Sequence, residues 1–315
     1  MTGNTYVMKQ PPDKGVIQEA AAETGIPSAF IEKDWYAIQA LSAVAAMRLP
    51  YDAVPVFAGG TSLSKGHGLI RRFSEDLDFK VVTPTSLTRG QRRDIREAVL
   101  SVFEGLSGIK LERESVVSRD GSSIFSFNLT YPLTQDRHSS LRQHLLIEMS
   151  FKPPALPPEQ RPLRSFITEI SGTEPDAHIA CVSPLETSAD KLSALIWRVL
   201  SKDRTQPVGS PKNEPAMIRH LHDLCALSPY AEASGEFAGL VFANYESDKK
   251  RGGLAGQYEL LDAAQKAREK LANDKVYQEE YAIFVDRVSY DDEDKRISFS
   301  QAMASLDRLI KLITP

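Results

Sequence analysis

The sequence predicts an α+β protein built from two units, the first mixing strands and helices and the second mainly helical. Three observations predict this class. Short β-rich runs alternate with amphipathic stretches up to residue 151, five prolines fall between Pro153 and Pro162, and helical periodicity dominates thereafter. We place the boundary after residue 158, so that residues 1–158 form the α/β unit and residues 159–315 the helical unit.

The first unit opens with a long predicted helix, because apolar residues recur at helical spacing from Pro27 to Leu49 and Pro50 ends the pattern. Val54–Ala58 is a short apolar run that stops at two glycines, as expected for a buried strand entering a tight turn. We expect a short helix to follow over Thr61–Leu69, with Thr61 as its cap.

The remaining elements follow from the same periodicities. Asp120-Gly121 indicates a hairpin turn, and the prolines of Pro153–Pro162 argue against regular structure there. The other predicted strands, which bring the total to about five, are Leu77–Val82, Ile109–Val117, Ile124–Tyr131 and Leu145–Phe151. The other predicted helices are Thr85–Leu106, Leu185–Leu200, Pro215–Leu227, Glu236–Tyr245, Ala255–Ala272, Tyr277–Val288 and Ser298–Ile313.

Composition excludes several classes of protein. The formal net charge is -4, so any contact with nucleic acid must come from local basic patches. Two cysteines, Cys181 and Cys225, are too few for a disulfide framework or a cysteine-rich zinc site. No apolar run is long enough to span a bilayer, so we expect a soluble cytoplasmic protein with no membrane partner.

The glycine pair after the first strand suggests a phosphate-binding turn. Gly59 and Gly60 let backbone N–H groups approach a phosphate without interference from a Cβ. Thr61 and Ser62 open a helix whose free N–H groups and dipole favour an anion, and Lys65 adds a point charge about one turn later.

Two aspartates on the next strand suggest a metal site. Asp76 and Asp78 lie two residues apart, so their carboxylates share one face of the strand and suit one or two Mg²⁺ or Mn²⁺ ions. Glu148 is the best third ligand, because it is charged within an otherwise apolar strand. The alternative is that Glu148 lies on the half-exposed face of an edge strand, and that the whole pattern is a turn followed by a solvated acidic edge.

Four stretches of sequence together carry a family pattern. They are Ile31-Glu32-Lys33-Asp34-Trp35-Tyr36, Gly59-Gly60-Thr61-Ser62-Leu63 through Arg72-x-Ser74-Glu75-Asp76-Leu77-Asp78, Ala189-Asp190-Lys191-Leu192-Ser193-Ala194-Leu195 with Arg198, and Arg219-His220-Leu221-His222-Asp223-Leu224. This pattern resembles the AbiEii/AbiGii-type nucleotidyltransferase toxins of bacterial toxin–antitoxin systems, within the DNA polymerase β-like superfamily. The chain departs from it at His220, where the family often has Asp, and matches nothing from Ser228 onward.

The resemblance implies a bilobed enzyme, in which a minimal nucleotidyltransferase mixed sheet with flanking helices is completed by the helical unit across a cleft. It implies Mg²⁺-dependent transfer from a nucleoside triphosphate (NTP) to an RNA acceptor such as a tRNA 3′ end, in a toxin–antitoxin or phage-defence system with an AbiEi-like antitoxin. The implied catalytic residues are Asp76, Asp78, Lys191 and Asp223, and the implied nucleotide-binding residues are Gly59, Gly60, Thr61, Ser62, Lys65, Arg72 and Ser74.

The residues themselves leave alternatives open. Lys191 lies beside an apolar helix face and either snorkels outward or reaches the triphosphate; Asp223 is either a surface acid or the residue that orients Lys191. The basic groups either form solvated faces or follow an RNA backbone, and they are Arg71-Arg72, Arg89, Arg92, Arg93, Arg96, Lys202, Arg204, Lys212 and Arg219. A phosphotransferase, a protein-nucleotidylating enzyme and a nucleotide-binding protein without turnover remain as alternative functions.

Overall fold

A computed structural model describes residues 6–250 and 254–314 of the chain. It divides into two compact units: the residues up to Gly68 together with Phe73–Val182, and Leu69–Arg72 together with the residues from Ser183 onward. The division falls at Val182 rather than after residue 158, because residues 159–182 add two strands to the sheet of the first unit. Residues 1–5 of the predicted first domain lie outside the described residues.

Seven strands form one mixed sheet in the described part of the first unit. They are β1 (Val54–Ala58), β2 (Asp76–Val82), β3 (Lys110–Arg119), β4 (Ile124–Thr130), β5 (Leu145–Ser150), β6 (Glu159–Leu163) and β7 (Ala177–Cys181). Their order across the sheet is β3-β4-β5-β2-β1-β7-β6. The pairs β1–β7 and β2–β5 are parallel, whereas β1–β2, β3–β4, β4–β5 and β6–β7 are antiparallel. The five predicted strands are confirmed, and β6 and β7 are additional.

The proline-rich segment was expected to lack regular structure, and this is wrong for its last residues. Pro162 lies within β6, opposite His178 of β7. Because β6 is the edge strand of the sheet, Pro162 can be accommodated where its missing N–H faces no neighbouring strand.

Helices surround this sheet. The first unit contains α1 (Lys14–Thr24), α2 (Ser28–Ala45), α3 (Gly59–Thr61, which continues as a π-helical turn over Ser62–Gly66), α4 (Arg89–Glu104) and α5 (Phe166–Ser171). Thr88 caps α4 in a reciprocal capping box with Gln91. Helices α1 and α5 were not predicted.

Strand β2 has one face in the hydrophobic core and carries the two predicted metal-binding aspartates on its other face. Leu77, Phe79 and Val81 are buried in a core that also contains residues of α2 and α4. The residues that alternate with them, including Asp76 and Asp78, are only half-buried and lie on the opposite face. The period-two alternation of this strand therefore places both carboxylates on one face, as predicted.

The second unit is helical in its described part and has its own hydrophobic core, in which Tyr245 and Tyr277 are among the largest buried side chains. Its helices are α6 (Pro184–Ser201), α7 (Arg219–Glu232), α8 (Phe237–Lys249), α9 (Leu260–Asn273), α10 (Lys275–Val288) and α11 (Phe299–Leu312). Ser183 caps α6 by accepting a hydrogen bond from the Glu186 N–H. No helix among the described residues has the length and apolar character needed to cross a membrane.

Candidate active site

The glycine turn begins where β1 ends and approaches Asp78 closely. Gly59 has a φ of 74°, and a Cβ at this position would lie 2.1 Å from Asp78 Oδ2. Both the backbone conformation and the space therefore require glycine. The helix begins at Gly59 rather than at Thr61, and the predicted Thr61 cap is wrong because the Thr61 hydroxyl donates a 2.6 Å hydrogen bond to the Asp76 carbonyl oxygen.

Strand register brings three of the predicted residues together. Asp78 pairs with Ala58, which precedes the glycine turn, and on its other side with Glu148 of β5. Neighbours in register on adjacent strands project from the same face of a sheet. Asp78 therefore lies between the glycine turn and Glu148, with Asp76 two residues earlier on the same face.

Glu148 lies on the half-exposed face of its strand, as one sequence interpretation expected, but that strand is not at the edge of the sheet. Strand β5 lies between β4 and β2, so it is not an edge strand, and its residues alternate between buried and half-buried. The Glu148 carboxylate lies 3.6 Å from Arg119 Nη2, which compensates its charge.

Arg142 is a site residue that the sequence did not reveal. Its Nη2 donates to Asp76 Oδ1 at 2.5 Å, and its backbone N–H donates to Glu75 Oε2 at 2.8 Å. Lys33, which is fully buried, donates both to Glu75 and to the Arg142 carbonyl oxygen. Arg142 is thus held beside Asp76 by a buried ion pair, although it lies in a loop with no repeating pattern.

Three consecutive charged residues of α2, Glu32, Lys33 and Asp34, are buried. The Glu32 carboxylate accepts hydrogen bonds from the Thr134 N–H and hydroxyl, and Asp34 accepts one from the Phe166 N–H at 2.7 Å. Burial raises the pKa of Asp34 to about 6, opposed by the nearby Lys65 ammonium and the Phe166 N–H. Burial likewise lowers the pKa of Lys33, against the attraction of Glu75.

Of the predicted nucleotide-binding side chains that follow the glycines, those of Thr61 and Lys65 already have partners within the fold. Lys65 Nζ lies 3.1 Å from Asp34 Oδ1 and 3.9 Å from the centre of the Phe166 ring. Ser62 is buried, with no hydrogen-bond partner for its Oγ among the described residues, and burial raises the pKa of the nearby Cys181 thiol to about 11. The backbone of the turn, rather than these side chains, is therefore the feature suited to a phosphate. Ser74 is half-buried.

In the second unit, the predicted residues Arg72, Asp223 and Lys191 form one buried cluster. Arg72 donates to both carboxylate oxygens of Asp223, from Nε and Nη2, at 2.7 Å each. Lys191 Nζ lies 2.7 Å from Asp223 Oδ2. Asp223 is therefore not a surface acid but contacts Lys191, as expected if it orients that lysine. Lys191 is buried and does not extend into solvent.

The charges of this cluster are unequal, since one carboxylate faces two cations. Burial alone would raise the pKa of Asp223, but Arg72 and Lys191 outweigh it and hold the pKa well below its usual range. Burial lowers the pKa of Lys191, with Arg72 and Arg219 adding repulsion against the attraction of Asp223. His220 is kept neutral, because burial and then the positive charges of Lys191 and Arg219 lower its pKa well below its usual range.

The metal prediction is tested by the donor set. Asp76, Asp78 and Glu148 offer carboxylate oxygens, which Mg²⁺ prefers, on one face of two adjacent strands. In residues 6–250 and 254–314, however, no three or more His, Cys, Asp or Glu side chains converge as a ligand group. Arg142 and Arg119 instead hold the carboxylates of Asp76 and Glu148.

Comparison with known proteins gives the family. The family model described as "Nucleotidyl transferase AbiEii toxin, Type IV TA system" matches residues 40–305. None of the curated proteins compared with the chain matches it. Among solved structures, the chain is similar to MenT4, the nucleotidyltransferase toxin Rv2826c from Mycobacterium tuberculosis H37Rv, with 18% identity over 95% of this chain and 88% of that chain and a TM-score of 0.44. On the family match, which spans most of the sequence, the chain belongs to the AbiEii family of nucleotidyltransferase toxins of type IV toxin–antitoxin systems.

Proposed function

We propose that this nucleotidyltransferase uses Mg²⁺ or Mn²⁺ to transfer a nucleotide from an NTP to the 3′ end of an RNA such as tRNA, releasing pyrophosphate. The observation that carries the proposal is the approach of the glycine turn to Asp78, where even a Cβ on Gly59 would meet the carboxylate. Such a turn suits a phosphate group that must lie next to a metal-binding carboxylate.

The residues that would hold the metal are Asp76, Asp78 and Glu148. Their donor chemistry fits a hard divalent cation, and arginines lie beside the carboxylates of Asp76 and Glu148, as expected where negative charge is concentrated. A bound Mg²⁺ supplies charge neutralisation for the triphosphate and lowers the pKa of an attacking hydroxyl.

The protein's own groups would orient the triphosphate. Helical structure starts at Gly59, so the first N–H groups of the turn have no intrahelical acceptor and can donate to phosphate oxygens. Arg142 already places a guanidinium beside Asp76, and we propose that it binds phosphate oxygens of the NTP.

We further propose that turnover requires Lys191 and Asp223. The Arg72 guanidinium donates hydrogen bonds to both oxygens of Asp223, and this geometry favours a role in positioning that carboxylate over a role in binding the nucleotide. Membership of a type IV toxin–antitoxin family implies an antitoxin partner, and we propose an AbiEi-like protein. A reaction between an NTP and RNA would take place in the cytoplasm.

The test is incubation of the purified protein with each α-³²P-labelled NTP, Mg²⁺ and total cellular RNA. We expect label on RNA with one or more NTPs, pyrophosphate as the released product, and no transfer after chelation of the metal. Asp78→Asn should abolish transfer, whereas Asp13→Asn, a change at an exposed carboxylate of the same unit, should not.

Other outcomes would redirect the proposal. Release of nucleoside diphosphate would indicate phosphate transfer, and label on protein instead of RNA would make a polypeptide the acceptor. In cells, expression without the antitoxin should stop growth, and RNA from arrested cells should carry 3′ extensions that are absent with Asp76→Asn or Asp78→Asn. Unmodified RNA in arrested cells would contradict an RNA acceptor.

A further inference from the structure

A groove of about 500 Å³ lies in the first unit between the start of α4 and the turn that joins β3 to β4. Four arginines line it, and the lining contains a single acidic residue, Asp120. The arginines are Arg89, Arg93, Arg96 and Arg119. This groove is strongly cationic in a protein whose formal net charge is -4.

The two walls of the groove are the first turns of α4 and the β3–β4 turn. Arg89, Arg93 and Arg96 follow one stripe of α4, at i, i+4 and i+7, while Ile95 and Val99 bury the opposite side of the helix in the core. Arg92 ties the two walls together, because its guanidinium donates to the Leu87 and Gly121 carbonyl oxygens at 3.0 Å each.

Half of the arginine charge in the groove has no ion-pair partner among the described residues. Within the described residues, Arg89 and Arg93 are exposed and form no ion pair, and Arg96 contacts only the exposed Glu97. Several other basic residues considered from the sequence are already paired, since Arg204 and Lys202 are bound to Glu280 and Arg72 to Asp223. Cations without a protein partner are the ones available to a polyanion.

Arg119 connects the groove to the proposed reaction site. It lines the groove and lies 3.6 Å from Glu148, the neighbour of Asp78. In the register of the sheet, Asp78 pairs with Glu148, Glu148 pairs with Ser126 on the next strand, and Ser126 pairs with Val117 on the strand after that. Three strand spacings of about 4.8 Å and the two further residues to Arg119 put the backbone of Arg119 about 15 Å from that of Asp78, while the Arg119 side chain reaches back to Glu148.

We propose that this groove binds backbone phosphates of the RNA acceptor, about four nucleotides from the 3′ end that would react at Asp78. The inference rests on the proposed function, which supplies the RNA. At about 3.4 Å of rise per stacked nucleotide, 15 Å corresponds to about four nucleotides. The same separation argues against the NTP as occupant, because its phosphates must lie beside Asp78. Arginine stripes read the phosphate backbone and not the sequence, so the site would accept RNAs of different sequence.

The test measures binding of a fluorescein-labelled RNA hairpin with a four-nucleotide single-stranded 3′ end to the full-length protein at several salt concentrations. Arg89→Gln with Arg93→Gln should weaken binding about tenfold at low salt. The slope of log Kd against log salt should fall by about 1.4 to 1.8, the value for two lost phosphate contacts. The control, Lys14→Gln with Lys275→Gln, removes the same charge from exposed lysines elsewhere and should leave affinity and slope nearly unchanged.

Binding of NTP, measured in the same preparations, should not change in the groove variant. An equal loss of RNA affinity in the groove and control variants would contradict the proposal that the groove binds RNA. An unaltered KM for RNA in the transfer reaction of the groove variant would also contradict it. These results leave the proposed function intact. If the wild-type protein neither binds nor modifies any RNA, the proposed RNA acceptor is wrong, and the groove proposal, which depends on it, is wrong as well.

Discussion

Replacing Asp223 by Asn should destabilise the second unit more than any other single change in the Arg72–Asp223–Lys191 cluster. The Asp223 carboxylate is fully buried and is the shared partner of two cations, one of which it binds through both oxygens. Asn keeps the shape but removes the negative charge that the Arg72 guanidinium and the Lys191 ammonium share.

The size of the effect follows from that geometry. Removing one partner from a buried ion pair costs about 3–5 kcal/mol, because the charge left behind has lost its solvent. Lys191→Met should cost less, under about 2 kcal/mol, because Asp223 keeps its two hydrogen bonds from Arg72. At a slope of about 2 kcal/mol/M, the Asn variant should unfold at a urea concentration lower by about 2 M.

The two tryptophans allow the measurement to be made on one unit. Trp197 lies in α6 of the second unit and Trp35 in α2 of the first, so a Trp35→Phe background leaves fluorescence that reports only the second unit. Urea unfolding would then be compared between the parent, Asp223→Asn and Lys191→Met. If Asp223→Asn costs less than about 1 kcal/mol, or less than Lys191→Met, the charge-compensation argument is refuted.

Three further predictions concern the first unit. Gly59→Ala should lower activity at least a hundredfold by forcing Asp78 aside, whereas Gly15→Ala, which meets no atom within 4 Å, should be silent in the same transfer assay. The folded pKa of Asp34 lies above its unfolded value of 3.8, so the stability it contributes is full below pH 4 and is lost as the pH rises through 6. The unfolding free energy of the wild type should therefore fall relative to Asp34→Asn between pH 4 and 6, by up to about 3 kcal/mol, and a constant difference across this range would contradict the assignment. Arg142→Ala should reduce kcat/KM for the NTP about 10- to 100-fold with little change in melting temperature, because its side chain is 43% exposed; unchanged kinetics would remove Arg142 from the site.

Local patterns were sufficient to predict the elements that carry the chemistry. The alternation in β2 predicts that Asp76 and Asp78 share a face, and the glycines after β1 predict a turn that begins a helix. Both inferences depend on residues within a few positions of each other, where periodicity is informative.

The partners of the charged side chains could not be predicted in the same way. Lys65 reaches Asp34 and Lys33 reaches the loop of Arg142, across separations that no periodicity encodes. Likewise, β6 and β7 are short strands whose pairing depends on the rest of the sheet, and a proline in one of them suggested a loop. Assigning Lys65 to a phosphate was therefore reasonable from spacing alone, although its ammonium already lies beside a buried carboxylate.

The buried charges of α2 also bear on when this toxin can become active during its own synthesis. Asp34 acquires its backbone hydrogen bond from Phe166, 132 residues later, and Glu32 acquires its bonds from Thr134, 102 residues later. At about 5–20 residues per second, a ribosome needs roughly 10 s to make the chain between Asp34 and Phe166. Until then α2 carries charges that it cannot bury, and the Lys33 that holds Glu75 and Arg142 has no stable position. The nascent toxin should therefore remain inactive until more than half of it has been made.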